Sequence, residues 1–567
     1  MTRKAMGPID KMFIWGESRE SMMHVAGLQI FTPPADAGPH FVRDLVDSLL
    51  AVRKVERPWN LRLATPNFQL NPLHAWVEEA SIDLDYHVRH SALPAPGGER
   101  ELGKLVSRLH ANPVDFQRPP WELHVIEGLA GGRFAFYTKI HHALVDGYSA
   151  MKIMTRSMST GPDERDKPIF FALPEPRREK APRVPRGKPD LLGGLANALR
   201  RQATSFGELG SAVREMANAA VAGNDALKTP LQAPPCVLNG RITRNRRFAT
   251  QQIPLDRLRA VATAAGGTLN DVVIALCAAG LRRYLHEIGA LPKAPLVAYL
   301  PVNVRPKGDE GGGNAIGAIL VSMATNVADP KKRLETIIAS TSRAKEQLRG
   351  MSQRAILEYS MLLMMPFLLQ LARAMTGDRI KMPLNFNLCI SNVPGPDEPL
   401  FLRGARMDAV YPVSIPTHAM GLNVTVESYA GYLDFGFVGC RDTLPHMQHL
   451  AVHTGEALDE LEAVYFPVAA KPRASRKAPS KPAAKKPAAR TAIVKKPAAR
   501  TAIVKKPAAR TAAVKKPVAK KVAVKAAAAR KPAAKQAAAK VAPVTKPVAK
   551  KAAVKAPAAK KARRTPA

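Results

Sequence analysis

The C-terminal stretch sets the limit on what this chain can fold into. From Lys471 to Ala567 it carries 31 Lys and Arg, no Asp or Glu, and no aromatic residue. A decapeptide recurs within it, KKPAARTAIV at 485–494 and 495–504 and KKPAARTAAV at 505–514. Such a segment has almost nothing apolar to bury, and proline every few residues interrupts any Ala-rich helix, so disorder is expected when it stands alone. The part of the chain able to form a core therefore ends near residue 467.

The same stretch accounts for the charge. The whole chain has 85 Lys and Arg against 46 Asp and Glu, a net +39, and removing the tail leaves about +8 for residues 1–470. Charge thus describes the tail and says nothing about the fold. By charge alone the tail suits weak binding of polyanions, whether anionic lipid head groups, DNA or polyphosphate, with a solubilising extension as the plainer alternative.

The body shows few other constraints. Its four cysteines, Cys236, Cys277, Cys389 and Cys440, lie far apart with no CxxC or Cys/His metal spacing, which fits a reduced, cytoplasmic setting. The N-terminus meets charge before an apolar signal core can form. The most apolar run, eleven residues between Glu358 and Gln370, contains Pro366 and reads as too short to span a bilayer, so membrane contact is expected to be peripheral.

Residues 1–160 mix alternating strands, HVAGLQIF and RFAFYTKI, with helical stretches such as FVRDLVDSLLAVRKV. Residues 161–235 read as a Pro- and charge-rich linker with a helical segment near 191–220. Residues 236–467 resume strand and helix signals in a second domain, and 468–567 form the tail. The fold class expected is α/β (α+β).

The sharpest signal is HHALVDG, residues 141–147, between a strand-like and a helical segment. An H-H-x-x-x-D-G match arises by chance in a chain of this size with a probability on the order of one in a thousand. An alcohol attacking a thioester must lose its proton as the bond forms, and imidazole has a pKa suited to accepting it. A carboxylate a few residues on can fix the geometry around the ring. Gly147 is expected to let the chain turn sharply without a Cβ clash. Taken alone, the two histidines are also readable as a hydrogen-bonded structural pair or as two metal ligands.

Other segments narrow the choice: MHVAGLQIF at 23–31, PPWELHVIEGL at 119–129, NDVV at 270–273, PVNVR at 301–305, GN at 313–314 and ISNVPGP at 390–396. In this order, together with HHALVDG, they resemble the bacterial wax ester synthase/diacylglycerol acyltransferase family over roughly residues 8–466. The resemblance implies two chloramphenicol-acetyltransferase-like domains around a tunnel. It implies transfer of a fatty acyl group from acyl-CoA to a lipid alcohol, with acyl-CoA as substrate and no bound cofactor or metal. His142 would be the general base and His141 structural, with Asp146 holding the loop, Arg305 as its candidate partner, and Asn270 near the reacting centre. Trp121, Asp271, Arg305, Ser391 and Asn392 would border the substrates, Asp271 also capping the following helix. In the family's PLW element Pro120 replaces leucine, and Tyr432–Gly436 (YLDFG) resembles a structural loop of plant acyltransferases. A cytoplasmic protein peripheral to the inner membrane or lipid inclusions follows. Two rivals stand beside this reading: a condensation domain acting on carrier-tethered substrates, and a non-catalytic inclusion or polyanion-binding protein.

Overall fold

The computed structural model describes residues 3–174, 228–303, 316–375 and 384–467. The described residues belong to one compact unit, and Arg476–Ala567 lies outside them, as does the helical stretch expected at 191–220. Fifteen strands are present among the described residues: β1 Arg3–Ala5, β2 His24–Thr32, β3 Leu61–Leu63, β4 Ala75–Glu78, β5 Val88–Ala92, β6 Trp121–Leu129, β7 Arg133–His141, β8 Arg246–Pro254, β9 Val297–Asn303, β10 Ile316–Ser322, β11 Leu388–Pro394, β12 Phe401–Leu402, β13 Ala405–Val413, β14 Leu422–Tyr429 and β15 Tyr432–Cys440. They build two six-stranded sheets, β12-β13-β2-β7-β6-β5 and β10-β9-β11-β14-β15-β8, and a small sheet β1-β4-β3.

Strand periodicity explains why β7 is buried along almost its whole length. Phe134, Phe136 and Ile140 point into one apolar cluster with Trp121, Leu123 and Val125 of β6, while Ala135 and Tyr137 point into another with Leu28 and Ile30 of β2. Successive side chains leave a strand on opposite faces, so a strand covered on both sides reads as continuously apolar. The second sheet packs against the helix Leu269–Glu287, thirteen of whose nineteen residues are buried.

The expected boundary near residue 160 does not separate the sheets. β13 comes from the second half of the chain, yet it pairs antiparallel with β2 from Arg406↔Thr32 to Val413↔Ala26 and completes the first sheet. Where β13 passes over β15, the backbones come close: a Cβ on Gly436 would lie 1.7 Å from the Pro412 carbonyl oxygen. Asp434, two residues earlier, accepts from the Val410 amide at 2.8 Å. YLDFG is thus the clamp between the two sheets.

The apolar run around Pro366 is longer than its sequence suggested. It lies in a 23-residue helix, Gln353–Met375, long and apolar enough to cross a membrane by length and composition alone. One side of this helix is core: Tyr359, Leu363 and Phe367 are buried, Phe367 stacks on Phe386 at 4.6 Å, and the Ser360 hydroxyl accepts from the Ala318 amide at 2.9 Å. Met361, Met365 and Leu369, four residues apart, are exposed on the other side.

Candidate active site

β7 ends at His141, and the turn after it is pinned by backbone hydrogen bonds. The His141 amide donates to Pro120 O at 2.9 Å, and the His142 amide to Met23 O at 3.0 Å. His141 is fully buried, its ring edge-on to Phe116. Its Nδ1 accepts from the Ala143 amide at 3.2 Å, and its buried Nε2 faces Glu17 Oε2 at 3.5 Å, beyond hydrogen-bond geometry. The same Glu17 oxygen accepts from the Met23 amide. His141 therefore braces the turn itself.

His142 differs. Its ring lies flat on Phe13 of the helix Pro8–Gly16, with centroids 4.1 Å apart, and borders a cavity of about 370 Å³ between the sheets. Its Nδ1 is buried without a hydrogen-bond partner of ordinary geometry. Burial pushes its pKa down to about 4, with His141 acting in the same direction and Asp146 and its own carbonyl opposing. At neutral pH the ring is uncharged and free to accept a proton.

Asp146 is the N-cap of the helix Gly147–Arg156. Its Oδ1 accepts from the Ser149 amide and its Oδ2 from the Ser149 hydroxyl, both at 2.9 Å. Arg305, its expected partner, lies outside the described residues. Gly147 corrects an expectation: its φ is not positive, and a Cβ there would meet nothing within 4 Å, so no tight turn requires glycine. It is a wall of the cavity, beside Tyr148 and Met151.

The two asparagine motifs meet. Asn392 Nδ2 donates to Asn270 Oδ1 at 2.6 Å, and Asn392 and Ser391 border the same cavity as His142. Asn270 is one step back, holding Asn392. Asp271 is not a substrate contact: only 2% exposed, it accepts from the Thr268 amide and hydroxyl at 2.7 Å and from the Thr341 hydroxyl at 2.6 Å. That arrangement caps its own helix and ties it to the helix Pro330–Leu348. Trp121 also departs from expectation. It is wholly buried, stacked between His87 and Phe171, and its Nε1 donates to Trp59 O at 2.8 Å, so it supports the sheet and does not reach the cavity.

The family models decide the identity. The wax ester synthase/diacylglycerol acyltransferase catalytic domain matches residues 6–273, and the C-terminal domain of that family matches residues 312–462. The chain belongs to the wax ester synthase/diacylglycerol acyltransferase family. A putative diacylglycerol O-acyltransferase of Mycobacterium tuberculosis is 50% identical over 488 residues, 82% of this chain and 98% of the relative. The O-acyltransferase WSD of Acinetobacter baylyi is 38% identical, covering 81% and 97%. Among solved structures, the wax ester synthase/diacylglycerol acyltransferase of Marinobacter aquaeolei VT8 is 37% identical with a TM-score of 0.65, covering 82% of this chain and 99% of that one. A condensation domain of the CDA synthetase, 18% identical at a TM-score of 0.50 over 82% of this chain and 97% of that one, shares the fold. As a member of its family, this acyltransferase moves an acyl group to a lipid alcohol.

The site of this acyltransferase includes residues with no local signature. Phe13 touches His142 from a helix more than a hundred residues away in sequence, and nothing in FIWGE marks it as a partner of the motif. On β14, Asn423, Thr425 and Glu427 alternate with buried valines and border the cavity. That alternation was available in LNVTVESY, but a polar strand face reads by default as facing solvent.

Proposed function

We propose that His142 is the general base for direct acyl transfer from acyl-CoA to the hydroxyl of a lipid alcohol, diacylglycerol or a fatty alcohol. The observation that carries this reading is the uncharged imidazole of His142, clamped by Phe13 and lining the cavity between the sheets beside Ser391 and Asn392. The imidazole takes the hydroxyl proton as the oxygen attacks the thioester carbon. A tetrahedral oxyanion forms and collapses, the carbon–sulfur bond breaks, and the coenzyme A thiolate recovers the proton from His142. Asp146, whose charge favours the protonated ring, steadies the imidazolium between those steps. Acyl-CoA enters as a substrate, and the exchange calls for neither a metal nor a bound cofactor.

The lipid substrates argue for a cytoplasmic enzyme working at the inner membrane or a lipid inclusion. Met361, Met365 and Leu369 offer an apolar strip to such a surface, and the basic tail adds attraction to anionic head groups. Purified protein given palmitoyl-CoA with hexadecanol and with dipalmitoylglycerol, products identified by mass, tests the reading. A His142→Ala variant should lose about 10²–10⁴-fold in rate, and retention of more than half the wild-type rate would refute the assignment.

A further inference from the structure

β14 turns three polar side chains toward the cavity, and two of them are satisfied within the protein. The Thr425 hydroxyl donates to Asn423 Oδ1 at 3.0 Å and bonds the Ser414 hydroxyl at 2.6 Å, and Asn423 Nδ2 donates to Ile415 O at 3.4 Å. Glu427 is different. It is 7% exposed, and its carboxyl has no hydrogen bond or ion pair among the described residues. Its cross-strand neighbour on β15 is Asp434, whose two oxygens accept from the Val410 amide and from Gln252 Nε2 at 2.9 Å. Burial pushes the Asp434 pKa up to about 7 against those two N–H donors, so the facing carboxyls share a proton near neutral pH, held on Glu427. Burial, and then the Asp434 charge, push the Glu427 pKa up to about 8. Glu427 therefore keeps its proton at neutral pH and stands as an unused O–H donor.

The strand pairings place this donor within the cavity. Val410, bonded to Asp434, pairs with Gln29 of β2, and both Gln29 and Val25 border the same cavity. Four residues of strand separate Val25, at the His142 end, from Gln29, about 13 Å at 3.3 Å per residue. The carboxyl opens onto the cavity, where an oxygen of a bound substrate is an acceptor for its proton.

We propose that Glu427 is a specificity-determining residue whose carboxyl donates a hydrogen bond to a carbonyl oxygen of a bound substrate, and so favours substrates that present such an oxygen in the cavity. Two substrates carry that chemistry: an acylglycerol, through its esters, and the thioester donor, through the amides of its coenzyme A arm. A linear alcohol carries none. The inference rests on the reading that acyl-CoA and a lipid alcohol react at His142.

Steady-state kinetics of the full-length protein test it, with Glu427→Leu removing the donor and Glu427→Gln keeping one. If the carbonyl belongs to the acceptor, Glu427→Leu raises KM for dipalmitoylglycerol about tenfold, the value of one hydrogen bond, and leaves esterification of hexadecanol within about twofold. If it belongs to the donor, KM for palmitoyl-CoA rises about tenfold with either acceptor. In both cases Glu427→Gln restores most of the loss. In the wild type the affected KM should climb as pH rises through about 8, where the carboxyl loses its proton, and that climb should be absent in Glu427→Gln. Unchanged KM values in Glu427→Leu, or a wild-type KM flat across that pH range, would overturn the proposal. A parallel His142→Ala variant separates the two readings: if it stays active the site assignment fails, whereas an inactive His142→Ala beside an unaffected Glu427→Leu sinks the Glu427 inference alone.

Discussion

The phenyl ring of Phe13 covers the imidazole of His142 at 4.1 Å, with the two planes 20° apart. The contact both orients the ring and keeps water from one face of it. Removing it in Phe13→Ala should let the ring rotate and hydrate, lowering kcat/KM about tenfold, because orientation is lost while the base remains. The His142 pKa should move from about 4 toward its ordinary 6.5, since burial is its main depressing cause. Imidazole titration by nuclear magnetic resonance checks this, and an unmoved pKa would refute it.

Acid should destabilise the fold earlier than carboxylate titration alone would. Burial holds His142 and His87 at about 4 and His110 at about 3, each below the value of an unfolded histidine. Groups with depressed histidine pKa values bind more protons when unfolded, so their contribution is intact above about pH 6.5 and is lost as pH falls toward 4. Denaturant midpoints should therefore drop between pH 7 and pH 5. Equal midpoints would contradict the burial of these rings.

Asp146→Ala should cost about 1 kcal/mol of stability, the usual value of an N-cap, because both carboxylate oxygens are held by Ser149. Asp146→Asn keeps one acceptor and should cost less. Both remove the charge that favours protonated His142, so both should lower kcat more than they lower the melting temperature. If the melting temperature falls and kcat does not, Asp146 is a cap and nothing more.

Asp271→Ala should destabilise by about 1 kcal/mol or more, since it opens the cap at Thr268 and removes the tie to Thr341, whose hydroxyl keeps only the Ile338 carbonyl as acceptor. Asn270→Ala should instead be nearly neutral for stability and lower activity through Asn392. A double-mutant cycle of Asn270→Ala with Asn392→Ala should be non-additive in kcat/KM. Additive losses would show that the two asparagines act independently.

Truncation after residue 467 should leave turnover on dispersed substrates unchanged and abolish co-sedimentation with anionic vesicles or DNA at low salt. The tail holds 31 basic residues and no acidic one, and salt screens such attraction within about 8 Å. Undiminished sedimentation of the truncated protein would place the adhesive surface on the folded body.

Local features were legible because their physics is local. Thr268 and Asp271 sit at the spacing that closes a capping box, and the box forms. The alternation in RFAFYTKI gives a strand with two apolar faces, and the histidine pair does end that strand.

What the tertiary structure alone decided are relations between distant segments. It chose which histidine faces Glu17 and which lines the cavity. It set Phe13 on the second, withdrew Trp121 into the core, and completed the first sheet with β12 and β13 from the other half of the chain. Periodicity states which residues share a face, but not whether water, another sheet or a substrate cavity covers it. That choice is made when the two sheets close on each other, and it left Glu427 a buried carboxyl lining the same cavity as His142.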